Sequence, residues 1–216
     1  MDRLHQEFEL VEFAFLDDVL TANTELLSAL CGRLRERSYR WGCQATIKDI
    51  AANPELLRGM AAAGCGGVFF GVEAGNDAVL KKVKGISTAD VSSVVELALS
   101  LGMRVITSFM IGHPWDTRDT IADTSALMAR LRGRGCHTPV SILVPFPGSD
   151  LATYPERFGV RLDSQDYSAY FHNRALLSTR NLSRAELDDI YFEILYDITS
   201  DEPSAQADAD QTTVKI

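Results

Sequence analysis

Short apolar runs alternate with longer amphipathic segments between residues 10 and 151, and this alternation constrains the fold more than any other feature. The apolar runs are continuous instead of alternating with polar residues, which is typical of strands buried on both faces of a parallel sheet. The pattern therefore predicts an α/β fold in which helices cover parallel strands. The predicted strands are residues 10–16, 39–47, 67–72, 103–111 and 140–144.

Capping residues mark several of the intervening helices. Ser87 with Asp90, and Ser183 with Glu186, have the spacing of a capping box. Asn53 directly precedes a proline, which predicts a helix with Asn53 as its N-cap. Periodicity alone does not distinguish an open doubly wound sheet from part of a (β/α) barrel. The predicted helices are residues 24–37, 54–63, 87–101, 117–132 and 183–198.

Charge and hydropathy exclude several classes of function. The net charge is −9 and no basic run occurs, so the chain lacks the Lys/Arg clusters that neutralise nucleic-acid phosphates. No apolar stretch approaches the roughly 20 residues that span a bilayer, and the first residues lack the cationic and then apolar pattern of a signal peptide. We therefore expect a cytoplasmic protein that binds neither nucleic acid nor a membrane.

The four cysteines are far apart in the sequence. None of Cys31, Cys43, Cys65 and Cys136 lies within a few residues of another, so the short spacing of metal ligands is absent. The sequence predicts reduced thiols and no metal site.

Four side chains at predicted strand ends are candidates for catalysis, because ligands of parallel βα folds bind at the carboxyl ends of the strands. Asp17 and Asp18 are adjacent carboxylates, an arrangement that suits a general acid or base. Glu73 enters an apolar barrel mouth, where a carboxylate is costly unless it binds something. His113 is a candidate for proton exchange, because histidine is the residue type suited to it near neutral pH. The structural alternatives are a helix-capping aspartate, an ion pair between Glu73 and a neighbour such as Lys48, and a hydrogen-bonding histidine.

The strand-end rule also gives a set of candidate ligand-binding residues. Glycines beside Glu73 allow close backbone approach to a ligand. The predicted substrate-binding residues are Gln44, Thr46, Lys48, Met110, Pro145 and Ser149. Further candidates at the same strand ends are Gly75, Asn76, Ser108 and Gly112.

An ordered series of motifs resembles the radical S-adenosylmethionine (radical SAM) superfamily, especially the members paired with a cobalamin-binding domain. The resemblance extends over about residues 10–198, and the order of the motifs carries it. The motifs are Phe-Leu-Asp-Asp at 15–18, Trp-Gly-Cys-Gln-Ala at 41–45, Gly-Val-Glu-Ala-Gly at 71–75, Met-Ile-Gly-His-Pro at 110–114 and Pro-Phe-Pro-Gly at 145–148.

The resemblance implies a partial (β/α) barrel with about five βα units, the first unit missing, followed by a C-terminal helix. We expect the barrel over residues 1–152, a loop and helical extension packing on it over 153–200, and a disordered acidic tail over 201–216. The family holds a 4Fe–4S cluster on a Cys-x-x-x-Cys-x-x-Cys loop, and this motif is absent. The resemblance thus makes SAM compatible with the chain and a 4Fe–4S cluster unexpected on it alone. The implied cofactor-binding residues are Glu73, Gly75, Asn76, Ser108, Ile111 and Gly112.

Three functions stay open at this point. The first is an enzyme on a radical-SAM-like scaffold that has lost its cluster site. It acts on a small secondary metabolite by acid–base cyclisation, isomerisation or dehydration. The second is a fragment or accessory subunit of a genuine radical SAM enzyme, and the third is a non-catalytic module that binds SAM or another small molecule. A missing first strand exposes a sheet edge, so we expect the C-terminal segment, a second protomer or a partner chain to cover it.

Overall fold

Five parallel strands form a sheet at the centre of the structure, a computed structural model that describes residues 1–17, 19–164, 166, 170, 171 and 173–201. Each strand pairs in parallel with the next along the chain, so the order across the sheet follows the sequence. The sheet curls into a half-barrel, which confirms the predicted α/β partial barrel. The strands are β1 (Glu12–Phe15), β2 (Arg40–Ala45), β3 (Cys65–Glu73), β4 (Arg104–Ile111) and β5 (Val140–Ile142).

Helices connect successive strands, and a short antiparallel pair, β6 (Arg161–Leu162) with β7 (Leu177–Ser178), follows the sheet. In the described part of the chain, no helix is both long and apolar enough to cross a membrane. A 3-10 helix covers Leu20–Ala22. The α-helices are α1 (Asp2–Phe8), α2 (Thr24–Leu34), α3 (Ile47–Ala52), α4 (Glu55–Ala62), α5 (Asp77–Val83), α6 (Thr88–Ser100), α7 (Arg118–Arg132), α8 (Asp150–Thr153), α9 (Pro155–Phe158) and α10 (Arg184–Asp201).

The sheet is buried on one face only. Alternate β4 residues such as Val105 and Phe109 are almost fully buried, whereas Ile106, Ser108 and Met110 between them are half-buried. The same alternation occurs on β2 and β3. The helices therefore pack against one face, and the opposite face, here called the inner face, stays partly open. This differs from the two-sided burial that the continuous apolar runs predict.

The end of β2 is a difference between prediction and structure. The strand stops at Ala45, because the hydroxyl of Thr46 accepts a hydrogen bond from the backbone N–H of Asp49 at 3.1 Å and caps α3. The predicted extension of this strand to residue 47 is wrong, since Ile47 begins α3. The substrate-binding candidate Lys48 also lies on α3 and is exposed. Asn53 ends α3 instead of capping α4.

Both predicted capping boxes are confirmed. The backbone N–H of Asp90 donates to the Ser87 hydroxyl at 3.2 Å, and the Ser87 N–H donates to the Asp90 carboxylate at 2.8 Å. Ser183 and Glu186 make the equivalent pair at the start of α10. These caps satisfy backbone N–H groups that a helix start leaves without partners.

The two edges of the sheet are β1 and β5. Helix α10 packs against β5 and β7, so the C-terminal segment lies at the end of the sheet opposite β1. Coverage of the β1 edge by a second protomer or a partner chain stays a prediction. The predicted domain boundaries also stay predictions, and residues 202–216 of the expected tail lie outside the described residues.

Gly75 joins β3 to the helices through a close contact with α7. Its backbone N–H donates to the hydroxyl of Thr124 at 2.9 Å. A Cβ at this position would lie 2.5 Å from the Thr124 Cα and 2.8 Å from the Asp123 carbonyl oxygen. The absence of a side chain therefore allows α7 to pack directly on the turn that follows β3.

Gly75→Ala is expected to lower the free energy of unfolding by about 1–3 kcal/mol, because backbone atoms of α7 must shift to admit the methyl group. Gly59→Ala is the matched control. Gly59 lies in α4 with nothing within 4 Å of an added Cβ, so alanine should stabilise the helix by about 0.5–1 kcal/mol. Urea unfolding of both variants measures the difference, and equal stabilities would contradict the proposed contact.

Candidate functional site

Glu73 ends β3 in an unusual backbone conformation. Its φ angle is 76°, in the left-handed region that costs an L-residue roughly 1–2 kcal/mol. The pairing of β3 with β4 shifts register between Gly71 and Glu73. The irregular backbone therefore marks the carboxyl end of β3, where ligands of parallel βα folds bind.

The Glu73 carboxylate turns back over β3 and meets a lysine. Its Oε1 atom lies 3.2 Å from the Nζ atom of Lys84, which follows α5. A Cβ at Gly71 would lie only 2.7 Å from this oxygen, so the glycine leaves the space that the carboxylate takes. The sequence-based alternative of an ion pair with a neighbour holds, but the neighbour is Lys84 and not Lys48.

Asn76 fixes α5, the helix that precedes Lys84. Its Oδ1 atom accepts from the backbone N–H groups of Ala78 at 3.0 Å and Val79 at 3.3 Å. Its Nδ2 atom donates to the Asp123 carboxylate at 2.8 Å. Asn76 and Gly75 are thus both engaged with helices, and their predicted contact with a cofactor stays a prediction.

Ser108 and Met110 lie on the inner face near Glu73. Ser108 pairs in register with Gly71, and both Ser108 and Met110 are half-buried. Ile111 is fully buried among the core residues, so only its backbone could meet a ligand on the inner face. Gly112, with φ 88°, is close to Leu187 of α10. The structure therefore brings Glu73, Ser108 and Met110 together at one end of the inner face.

His113 is buried beside an aspartate that holds the loop after β4. The carboxylate oxygen Oδ2 of Asp116 accepts from the backbone N–H groups of Gly112 and His113, both at 2.9 Å, and Oδ1 accepts from the Thr120 hydroxyl at 3.2 Å. Burial raises the pKa of Asp116 above its ordinary value of 3.8, while His113 and the three donors oppose this rise. Within the described residues, His113 Nε2 has no hydrogen-bond partner.

The other predicted site residues are spread more widely. Asp17 is exposed after β1, and Asp18 lies outside the described residues. Pro145 is buried, and Ser149 caps α8 by accepting from the Ala152 N–H at 3.2 Å. Gln44 is exposed on the inner face. The site roles of all these residues stay predictions.

The inner face forms a groove of about 690 Å³. Its walls are mainly apolar, with Leu16 on one side and Phe69 and Ile106 on the other. His137 also lines it, because it makes a β-bridge to Ile106 and is exposed there. The sequence-based prediction missed His137 and also Arg104, which lies at the start of β4. Successive strand residues point to opposite faces of the sheet. Applying this alternation to β4 and to its neighbouring strands could have found them.

The described residues do not provide a site for an iron–sulfur cluster. The four cysteines are all buried, on α2, β2 and β3 and after α7, and within the described ranges no three Cys, His, Asp or Glu side chains are placed to hold a metal. A hydrogen bond to Cys65 and burial raise the pKa of Cys43, which keeps this thiol protonated. Ligands of a 4Fe–4S cluster would have to come from outside this part of the chain.

Comparison with known proteins identifies the family. The Radical SAM superfamily pattern matches residues 4–128, more than half of the sequence. The chain belongs to the radical SAM superfamily. This membership agrees with the resemblance expected from the ordered motifs and with the half-barrel.

Two relatives of this radical SAM chain, and one solved structure with a similar fold, are much longer proteins. It is 28% identical over 152 residues to an uncharacterised methyltransferase of Pyrococcus horikoshii, covering 70% of this chain and 33% of the relative. It is 32% identical over 114 residues to cytidylyl-2-hydroxyethylphosphonate methyltransferase of Streptomyces wedmorensis, covering 52% and 21%. The structure of TsrM from Kitasatospora setae, a radical SAM methyltransferase with bound cobalamin and a 4Fe–4S cluster, superposes with a TM-score of 0.61 at 19% identity, covering 77% and 35%. The chain thus spans about a third or less of each.

The pH dependence of stability should separate Asp116 from Asp90. The raised pKa of Asp116 means that the folded state holds its proton more tightly, so wild-type stability falls as pH rises through the window above 3.8. The stability of Asp116→Asn relative to wild type should therefore rise with pH in that window. The Ser87 side chain and backbone lower the pKa of Asp90, so Asp90→Asn should show the opposite slope below pH 3.8. Urea unfolding across both windows measures the slopes, and slopes of equal sign would contradict this assignment.

The conformation of Glu73 predicts a reversed order of stability for two substitutions. Both Glu73→Gly and Glu73→Ala lose the Lys84 ion pair, but only glycine tolerates the φ angle, so Glu73→Gly should be more stable by roughly 1–2 kcal/mol. Ser108→Gly and Ser108→Ala are the matched control on β4, where alanine should be the more stable. Thermal unfolding gives both comparisons, and a less stable Glu73→Gly would show that the backbone is unstrained.

Proposed function

We propose that this chain forms the SAM-binding and substrate-binding surface of a radical SAM methyltransferase acting on a small organic molecule. The observation that carries the proposal is the end of β3, where a strained residue places a carboxylate on the open face of the half-barrel. Strained backbone persists where function requires it. Methyl transfer is supported by the relatives, since both curated proteins carry the name methyltransferase.

The residues at this end of the inner face fit SAM. SAM presents a cationic sulfonium, an amino acid group and ribose hydroxyls, and a carboxylate attracts the cation and accepts hydrogen bonds from the others. Glu73 would accept these bonds, with Gly71 leaving room and the Ser108 hydroxyl and Met110 side chain beside it. Bound SAM supplies an activated methyl group. The chain's own residues would hold it on the inner face, beyond Phe69 and Ile106 of the apolar groove.

Lys84 supports this assignment from the protein side. Its ammonium group lies 3.2 Å from the Glu73 carboxylate, and the two side chains are 40% and 18% exposed, respectively. The Glu73 carboxylate is thus already placed to meet a positively charged group. A cationic ligand can replace that partner, because a partly exposed ion pair contributes at most about 1 kcal/mol.

The proposal includes a 4Fe–4S cluster. Its ligands would come from residues other than those that the structure describes. Radical SAM chemistry needs a 4Fe–4S cluster, and the buried, separated cysteines do not fit one. We therefore favour the interpretation in which another segment or another chain provides the cluster ligands, over a free-standing binding module. TsrM also contains cobalamin, but no observation on this chain assigns cobalamin to it.

Cluster-free acid–base chemistry is the second candidate. Two observations favour it: the sequence has no cysteine triplet, and the buried His113 has an Nε2 atom with no partner in the described part. In this alternative Asp17, Asp18, Glu73 and His113 would transfer protons in a cyclisation, isomerisation or dehydration. Iron and sulfide analysis of anaerobically purified protein with its co-purifying chains separates the candidates. Turnover by an iron-free preparation would support the second and overturn the first.

A thermal-shift titration with SAM tests the site directly. SAM at about 100 times its dissociation constant should stabilise the fold by about 2.7 kcal/mol. Glu73→Gln should bind SAM about tenfold or more weakly, because it removes a charge-assisted partner. Glu55→Gln on α4, which removes an exposed carboxylate paired with Arg58, is the control and should keep the full shift. An unchanged shift in Glu73→Gln would remove Glu73 from the site.

A further inference from the structure

Two arginines lie on the inner face, at the end of the sheet away from Glu73. Arg104 begins β4, and its Nη2 atom lies 3.2 Å from the Oε1 atom of Glu12 on β1, three strands away. Arg40 begins β2 in register with Glu12, so both point to the same face. The Arg40 guanidinium lies over β3, since a Cβ at Gly66 would be 3.4 Å from its Nη2 atom. Glu12, Arg40 and Arg104 thus form one cluster across the start of four strands.

The cluster adjoins the apolar groove. The groove of about 690 Å³ and a second cavity of about 570 Å³ share four lining residues, of which Arg104 is one. A small-molecule site is commonly about 300–1,000 Å³ and mostly apolar, with a few polar groups that fix orientation. Together the two cavities offer a largely apolar channel with the Arg104 guanidinium at one end, and Arg40 lies beside that end over Gly66. The shared residues are Ala14, Gly42, Gly67 and Arg104.

Packing does not require the glycine that forms part of the channel floor. Gly67 has no positive φ angle, and an added Cβ would make only ordinary contacts, 3.6 Å to the Arg104 carbonyl oxygen and 3.8 Å to the Arg104 Cβ. An alanine would therefore fit. The missing side chain instead keeps the floor open beneath the arginines.

The charges in the cluster are incompletely paired. Arg104 pairs with Glu12 across an exposed surface, and Arg40 has no carboxylate within ion-pair distance in the described part of the chain. Glu9 and Glu12 are the carboxylates that line this end. An anion that enters would pair with Arg40 at once and would compete with Glu12 for Arg104. Glu12 therefore marks a place that a ligand carboxylate can take.

We propose that the substrate bears an anionic group, a carboxylate or a phosphonate or phosphate, which Arg40 and Arg104 bind while its apolar body fills the groove. A guanidinium binds such oxyanions through two parallel hydrogen bonds, which gives orientation as well as affinity. The inference rests on the proposed function in taking the occupant to be the substrate. Anion binding at the arginines is measurable without any reaction.

The test uses the full chain and three probes that share one apolar body. They are 4-phenylbutyrate, its neutral amide, and 3-phenylpropylphosphonate, and binding is followed by the NMR shifts of the Gly42, Gly66 and Gly67 amides. We expect saturable binding of at least one anion, at least about tenfold tighter than the amide. The carboxylate and phosphonate arms show which anion the site prefers. Amide binding equal to that of both anions, or no saturable binding of any probe at millimolar concentration, overturns the proposal.

Substitutions of the arginines and of Glu12 should change anion binding in opposite directions. Arg40→Gln and Arg104→Gln should each weaken anion binding by about tenfold to a hundredfold. Glu12→Gln should tighten it, because it releases Arg104. Arg33→Gln, on the exposed surface of α2, is the matched control and should change nothing. Weaker binding in Glu12→Gln overturns the proposal even if an arginine variant fails to fold.

A SAM titration of the same variants separates the two proposals. A retained SAM shift with no anion binding means that the anion site is wrong and the SAM site stands. Anion binding without a SAM shift means that the groove takes anions but the proposed function fails. Gly67→Val, which narrows the groove while keeping both arginines in the sequence, should weaken all three probes while leaving the SAM shift in place.

Discussion

The burial of one face of a curled parallel sheet is the constraint on which the other features depend. Helices cover the face that carries Trp41, Phe70 and Phe109, which are at most 2% exposed. The β-strand period of two then sends every intervening side chain to the inner face. No helix among the described residues covers that face, so its side chains are only partly buried. Glycines, an exposed glutamine and two arginines stand there among apolar side chains such as Phe69 and Ile106.

The backbone strain at Glu73 costs more free energy than its ion pair contributes. Its left-handed φ angle costs roughly 1–2 kcal/mol, and its partly exposed ion pair with Lys84 contributes at most about 1 kcal/mol. The ion pair therefore does not offset the strain, and a glycine at this position would fold more easily. Local stability therefore does not account for a glutamate at this position, which is consistent with the ligand contact proposed for it.

Local patterns predicted the strands, their parallel arrangement and both capping boxes, because each depends on residues close together in sequence. The prediction ran β2 through Ile47, whereas the Thr46 cap starts a helix there. It treated β3 as apolar on both faces, because glycines at 67 and 71 have no side chain to reveal which face they serve. The Arg104–Glu12 pair joins residues 92 positions apart. No local pattern encodes such a contact, which depends on how far the sheet curls.

The two ends of the inner face together constrain the substrate. Arg104 and Met110 lie six residues apart on β4, and Gly67 and Glu73 are similarly spaced on β3, so the two ends are separated by roughly 20 Å along the strands. The proposed methyl donor at Glu73 and the proposed anionic group at Arg104 would thus lie at opposite ends of the inner face. Between them the walls are apolar, with Phe69 and Ile106 facing the channel. A molecule that meets both ends must be elongated, with its anionic group remote from the reacting atom. Binding energy at the arginines would then orient the substrate without placing a negative charge beside the SAM sulfonium.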